Sequence, residues 1–82
     1  MSHVPNELAE QFPDKIDAIH NLKISDEHFA KLHEDYHELN RAIHRAETNI
    51  EPTDDFHLED MRKVRLNMLD EISGLLRQAE EA

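Results

Sequence analysis

The chain has 82 residues, of which 34% are charged, and its formal net charge is −10 with the seven histidines neutral. This charge opposes nonspecific binding to nucleic acids and to anionic lipids, because both require a cationic surface; a basic partner would be favoured. The lack of cysteine excludes disulfides and thiolate zinc sites. No apolar run is long enough to span a membrane, and the N-terminus lacks an export signal. We therefore expect a cytoplasmic protein with no nucleic-acid or membrane partner.

The small size of the chain bears on its stability. In a domain of this length, hydrophobic burial and lost conformational entropy nearly cancel, and an elongated shape buries less surface than a sphere. Self-association is the usual remedy when disulfides and structural metals are missing. We predict a single small helical domain over residues 1–82 that forms a dimer or a larger homo-oligomer.

The N-terminal segment, residues 6–22, is predicted to form a short kinked helical arm. Asn6 can cap a first helix that reaches Phe12, and Pro13 favours a break followed by a second helix. One face of this second helix carries three apolar residues, Ile16, Ile19 and Leu22. We expect the arm to pack over the main helices, within its own chain or on another copy; the alternative is a flexible tail that becomes ordered only on a partner.

The segment 26–49 shows the strongest periodicity in the chain. Apolar residues recur at alternating gaps of three and four, at Phe29, Leu32, Tyr36, Leu39, Ile43, Ala46 and Ile50. This a/d heptad stripe is typical of a helix that packs against another helix. Ser25 can supply the N-cap hydroxyl, and Pro52 ends the helix because it cannot continue the hydrogen-bond ladder.

A second long helix is predicted over residues 54–78, with Thr53 as its cap. Its stripe comprises Leu58, Met61, Arg65, Met68, Ile72, Leu75 and Ala79, and Leu69 and Leu76 widen it. A connection this short makes the two helices antiparallel, with facing residues whose numbers add to about 105. The wide face requires a third element, either the arm or a second copy. Gly74 either permits a close approach by the arm or has no packing role.

Together these elements predict an all-α fold, an antiparallel coiled-coil-like helical hairpin with a short kinked N-terminal helical arm. The predicted interaction core comprises Phe29, Leu32, Tyr36, Leu39, Ile43, Met61, Arg65, Met68, Leu69, Ile72, Leu75 and Leu76.

Several short motifs follow one another along the chain. They are Phe12-Pro13, Leu22-Lys23 with Asp26 and the pair His28-Phe29, His44-Arg45 with Glu47, and Arg65-Leu66 with Asp70-Glu71-Ile72. In order and spacing the chain resembles the YdcH-like family of small bacterial proteins, over about Glu7 to Arg77. The resemblance implies a helical hairpin of bacterial origin with no established activity, so no catalytic residue is carried over.

Residues 33–37 match the H-E-x-x-H pattern, in which His33 and His37 would grip zinc one helical turn apart. A catalytic zinc needs a third protein ligand, but Asn40 and Ile43 stand where the extended motif places Gly and His. A hairpin of this size also lacks room for a substrate cleft. We therefore expect no enzyme and no cofactor, and the milder alternative is a Zn²⁺ or Ni²⁺ site on His33 and His37. A pH response is a further hypothesis, since protonating all seven histidines would change the net charge from −10 to −3.

Five of the nine basic residues lie in the half of the hairpin that is nearer to its turn. Arg41, Arg45, Arg62, Lys63 and Arg65 are predicted to form a cationic band across the two long helices. Arg65 interrupts the apolar stripe. The aliphatic part of its side chain can pack among the apolar residues, but its guanidinium group needs water or a hydrogen-bonding partner. We predict Glu38 across the hairpin, or a carboxylate of a second subunit, as that partner; an anionic ligand is the alternative.

The functional prediction is accordingly modest. We expect a non-enzymatic helical-hairpin interaction module that self-associates and can bind another protein. The alternative is a metal-binding protein that uses the His33 and His37 face, with hydrolysis as its extreme form.

Overall fold

A computed structural model describes residues 6–48 and 54–81 of the chain. Within these ranges the protein forms α1 (Leu8–Gln11), a 3₁₀ turn (Pro13–Lys15), α2 (Ile16–Ser25), α3 (Glu27–Glu47) and α4 (Asp55–Glu81). The described residues contain no β-strand, so the predicted all-α fold is confirmed. No helix in these ranges combines the length and apolar character needed to cross a membrane.

A single residue, Asp26, joins α2 to α3. Its Oδ1 accepts hydrogen bonds from the backbone N–H groups of His28 at 2.9 Å and Phe29 at 3.3 Å, which makes Asp26 the N-cap of α3. The predicted Ser25 cap is wrong, because α2 continues past Leu22 to Ser25. The Ser25 hydroxyl donates instead to the carbonyl of Asn21 at 2.9 Å, one turn back in α2.

The ends of the long helices are set by short polar side chains. α3 ends at Glu47, and the hydroxyl of Thr48 donates to the carbonyl of His44 at 2.9 Å. At the start of α4, Asp54 Oδ1 accepts from the N–H of His57 at 2.8 Å. The predicted cap Thr53, like the predicted breaker Pro52, lies outside the described residues. α4 extends to Glu81, past the predicted end at residue 78.

The first turn of the arm is built differently from the prediction. Asn6 has a φ of 66°, in the left-handed region that Asn tolerates better than most residues, so Glu7 occupies the N-cap position of α1. No side chain caps this helix, and the predicted Asn6 cap is wrong. The Asn6 Oδ1 accepts instead from Nε2 of Gln11 at 3.0 Å.

The arm packs against its own hairpin. Leu8 is 1% exposed and Ile19 is 7% exposed. They share one apolar core with residues of both long helices, Phe29, Leu32, Tyr36, Ile72 and Leu76. A Lys15–Glu80 ion pair ties the 3₁₀ turn to the end of α4. The arm therefore supplies a third layer over one flank of the hairpin.

Gly74 does not mark a close approach of the arm. A Cβ atom placed on it would meet no heavy atom within 4 Å outside its own helix turn. Of the two alternatives for this glycine, a close approach of the arm is wrong, and the absence of a packing role is the one that agrees with the structure.

Candidate interaction surface

His33 and His37 lie one turn apart on the flank of α3 that faces the arm. Their ring centroids are 4.5 Å apart, and both residues are half-buried. Nδ1 of His37 lies 2.6 Å from a carboxylate oxygen of Glu7, at the start of α1. The H-E-x-x-H pattern thus places its two histidines against the docked arm, with one ring nitrogen already engaged by a carboxylate.

The environment of His33 favours its neutral form. Burial, first, and then the neighbouring charges of His37 and Lys23 together lower the pKa of His33 from 6.5 to about 4. A full protonation of the histidines at mildly acidic pH therefore does not extend to His33. Among residues 6–48 and 54–81, no group of three or more His, Cys, Asp or Glu side chains could hold a metal ion.

Tyr36, within the same pattern, belongs to the core. Its side chain is 0% exposed, and its hydroxyl donates to the carbonyl of Asn6 at 2.5 Å. Burial raises the pKa of the Tyr36 phenol above its usual value of 10.0, so the hydroxyl remains a donor. This hydrogen bond fastens the first residues of the arm to the middle of α3.

Arg65 finds its partner on α3, but not the predicted one. Nη1 of Arg65 donates to Oδ1 of Asn40 at 3.0 Å, so the predicted pairing with Glu38 is wrong. Asn40 is 2% exposed and Arg65 is half-buried. Their residue numbers match the predicted antiparallel register, so the seam is aligned as expected. Sequence reasoning missed Asn40 because it lies outside the apolar stripe; the predicted register, which places residue 40 opposite Arg65, was the available signal.

Of the other residues of the cationic band, Arg62 makes ion pairs at the surface and Arg45 is half-buried. Arg62 lies 2.7 Å from a carboxylate oxygen of Glu47 on α3 and 2.6 Å from one of Glu59 in its own helix. Hydrogen bonds to these two carboxylates raise the pKa of Arg62. Arg41 and Lys63 are exposed. The band is therefore locally compensated at Arg62.

Burial across the hairpin seam is uneven. Five residues of the predicted interaction core are 0% exposed and Leu32 is 8% exposed; the five are Phe29, Tyr36, Ile43, Ile72 and Leu76. The other six are half-buried, namely Leu39, Met61, Arg65, Met68, Leu69 and Leu75. On α3, Asn40 is more deeply buried than Leu39. Both long helices thus turn their most buried stripe toward the arm side.

The opposite flank of the hairpin keeps an apolar surface, which we call the open face. It comprises Leu39 of α3 and Met61, Val64, Met68 and Leu75 of α4. Met61, Met68 and Leu75 are seven residues apart, so they form one stripe along α4. Four of the five are half-buried, and Val64 is 48% exposed.

Side-chain contacts fix the open face on the side away from the arm. The arm reaches the hairpin through the Glu7–His37 and Lys15–Glu80 pairs. On a helical wheel, His37 and Glu80 lie on the flanks of α3 and α4 that are opposite to Leu39 and Val64. The exposed His28–Glu71 contact of 3.1 Å crosses from α3 to α4 on the flank of the open face. Met68 and Leu75 also pack in part against the core, so the described chain covers this face only partly.

Comparison with known proteins identifies the family. No curated protein and no solved structure matches the chain. The profile of the family described as "Protein of unknown function (DUF465)" matches residues 29–76, which begin near the start of α3 and end within α4. The matched region is thus the hairpin, including the whole open face and the Arg65–Asn40 pair. The chain belongs to this family of unknown function, DUF465, which is the YdcH-like family that its motifs resemble.

Proposed function

We propose that this protein is a non-enzymatic helical interaction module that self-associates through the open face. The observation that carries the proposal is the half-buried apolar stripe at heptad spacing, on the flank of the hairpin that is away from the Glu7 and Lys15 contacts of the arm. Such a stripe is the surface that helices bury against other helices. A second copy of the chain presents the same stripe and can therefore cover it.

The surroundings of the histidines support a role without catalysis. The grooves beside them measure about 140 Å³ and 370 Å³, so only the larger reaches the lower end of the range of about 300–1,000 Å³ that is typical of ligand sites. Both are bordered by the arm or by α3 and hold no converging set of nucleophile, base and oxyanion donors. Binding of zinc or nickel by His33 and His37 is the alternative function, favoured by the 4.5 Å separation of their rings.

Sedimentation of the full-length chain tests the proposal with a matched pair of variants. Val64 and Leu66 are exposed aliphatic residues on opposite flanks of α4, and only Val64 belongs to the open face. We expect a wild-type mass at least twice 9.6 kDa, a shift of Val64→Glu toward the monomer, and a wild-type mass for Leu66→Glu. Burying a charge in an apolar interface explains the first shift.

Two outcomes would contradict the proposal. One is a wild-type mass of 9.6 kDa at all protein concentrations, and the other is equal dissociation by the two variants. Helicity measured by circular dichroism serves as the folding control for both. Metal analysis of the purified protein addresses the alternative: a stoichiometric metal whose removal by a chelator changes the mass would favour the metal-binding function.

A further inference from the structure

Charge is distributed very unevenly along the hairpin. Residues 6–37 and 70–81, which include the arm, hold 12 Asp and Glu against 4 Lys and Arg, a net charge of −8. We call this half the arm end. Residues 38–48 and 54–69 hold 6 acidic and 5 basic residues, a net charge of −1, and we call them the tip half. The cationic band lies entirely within the tip half.

These two halves are too far apart to compensate each other within one chain. At a rise of 1.5 Å per residue, α3 alone is about 32 Å long. The Debye length at physiological ionic strength is about 8 Å, so charges at the arm end are screened from most of the tip half. The energetic effect of the uneven charge therefore appears mainly where a second molecule is brought alongside.

The open face permits two symmetric ways of pairing hairpins. In either pair the arms lie on the outer flanks, so the hairpin residues of the arm end, 26–37 and 70–81, decide the comparison; they hold 8 acidic and 2 basic residues, a net charge of −6. A parallel pair places this net charge beside another of −6, whereas an antiparallel pair places it beside the tip half of the other copy, where the net charge is −1. Like charges held close together destabilise an interface, so the antiparallel pair avoids the larger repulsion.

We infer that the open face binds a second copy of the chain in the antiparallel orientation. This inference rests on the proposed function and specifies its geometry. A two-fold axis perpendicular to the hairpin passes near Met68, the central residue of the α4 stripe between Met61 and Leu75. α3 and α4 of both copies then form a four-helix bundle, with the two arms on its outer flanks at opposite ends.

This geometry predicts which exposed residues become neighbours. Asp60 and Gln78 are exposed and lie near the rim of the open face, eight and ten residues from Met68 in opposite directions. The antiparallel pair therefore brings Asp60 of one copy close to Gln78 of its partner. It separates the two copies of Asp60 by about 24 Å, and the two copies of Gln78 by about 30 Å, along the bundle axis.

Cysteine crosslinking tests this geometry directly, because the native chain contains no cysteine. Full-length Asp60→Cys and Gln78→Cys variants are mixed, allowed to exchange subunits, and treated with a short bis-maleimide. We expect the mixed 60–78 product to dominate over both homodimeric products. Asp17→Cys, on the exposed surface of the arm, replaces Gln78→Cys in a control that measures crosslinking by random collision.

The possible results separate the inference from the proposed function. A dimer by sedimentation with dominant 60–60 and 78–78 products overturns the antiparallel orientation but leaves self-association intact. Equal amounts of all three products also overturn it, because they indicate no fixed orientation. A monomeric mass with crosslinking no higher than the Asp17→Cys control overturns the proposed function itself.

Discussion

The Arg65–Asn40 hydrogen bond is a polar contact placed between otherwise apolar helix faces, and its contribution to stability can be isolated. Nη1 of Arg65 donates to Oδ1 of Asn40 at 3.0 Å, and Asn40 is 2% exposed. A hydrogen bond to a charged group contributes about 1.5–3 kcal/mol. We expect Asn40→Ala and Arg65→Ala each to lower the free energy of unfolding by about 2 kcal/mol, since each leaves a buried or half-buried polar group without this partner.

A double-mutant cycle gives the interaction energy of the pair. Because one interaction is lost in either single variant, the double variant should lose less than the sum, with a coupling energy of at least about 1 kcal/mol. Urea unfolding followed by circular dichroism measures each term, at one fixed protein concentration because assembly also stabilises the fold. For a domain of 60–100 residues, 1 kcal/mol corresponds to a shift of about 4–8 °C in the melting temperature.

Arg62→Ala is the matched control for this cycle. Arg62 pairs with Glu47 and Glu59 at the protein surface, where solvent and salt screen the interaction. We expect its loss to be smaller than that of Arg65→Ala and to shrink further at high salt. Strictly additive single variants, or an Arg62→Ala loss equal to that of Arg65→Ala, would show that the pair does not stabilise the seam.

Three further predictions concern the arm, α4 and pH. Leu8→Ala should lower the free energy of unfolding by about 2–5 kcal/mol, whereas Leu66→Ala, at a 60% exposed site, should be nearly neutral in the same urea assay; equal losses would refute arm docking. Gly74→Ala should stabilise by about 0.5–1 kcal/mol, because the space for its Cβ is open, and a loss in thermal unfolding would contradict this. The pKa of His33 is lowered from 6.5 to about 4, so the unfolded chain binds the proton first and stability should fall as pH falls through that range. His33→Gln should flatten this part of the pH profile of urea unfolding; an equal effect of the exposed control His57→Gln would disprove the assignment.

The hairpin could be predicted from sequence because its signal is repeated many times. The alternating gaps of three and four define α3, and the residues that face each other across the seam, such as Asn40 and Arg65, follow the predicted register. The rotation of the seam could not be predicted. Whether Leu39 or Asn40 is the more buried depends on which flank the arm covers, and that is a long-range contact.

The contacts made by the arm could not be predicted from the sequence either. Ser25 and Asp26 are both good N-cap residues, so sequence alone does not decide where α2 stops and α3 begins. The pairing of Glu7 with His37 joins residues far apart in sequence and has no periodic signature. The H-E-x-x-H pattern therefore identified two neighbouring histidines correctly, while the carboxylate partner of His37 came from a segment that the pattern does not include.

Asp26 carries two tasks at the corner between the arm and the hairpin. Its backbone N–H donates to the carbonyl of Leu22 at 2.8 Å and so closes α2, while its side chain opens α3. Because Asp26 is the whole connection between α2 and α3, the direction of one helix determines the direction of the other. The angle between the arm and the hairpin is therefore set by one amino acid. An extra residue inserted there would move Leu8 out of the core and Glu7 away from His37.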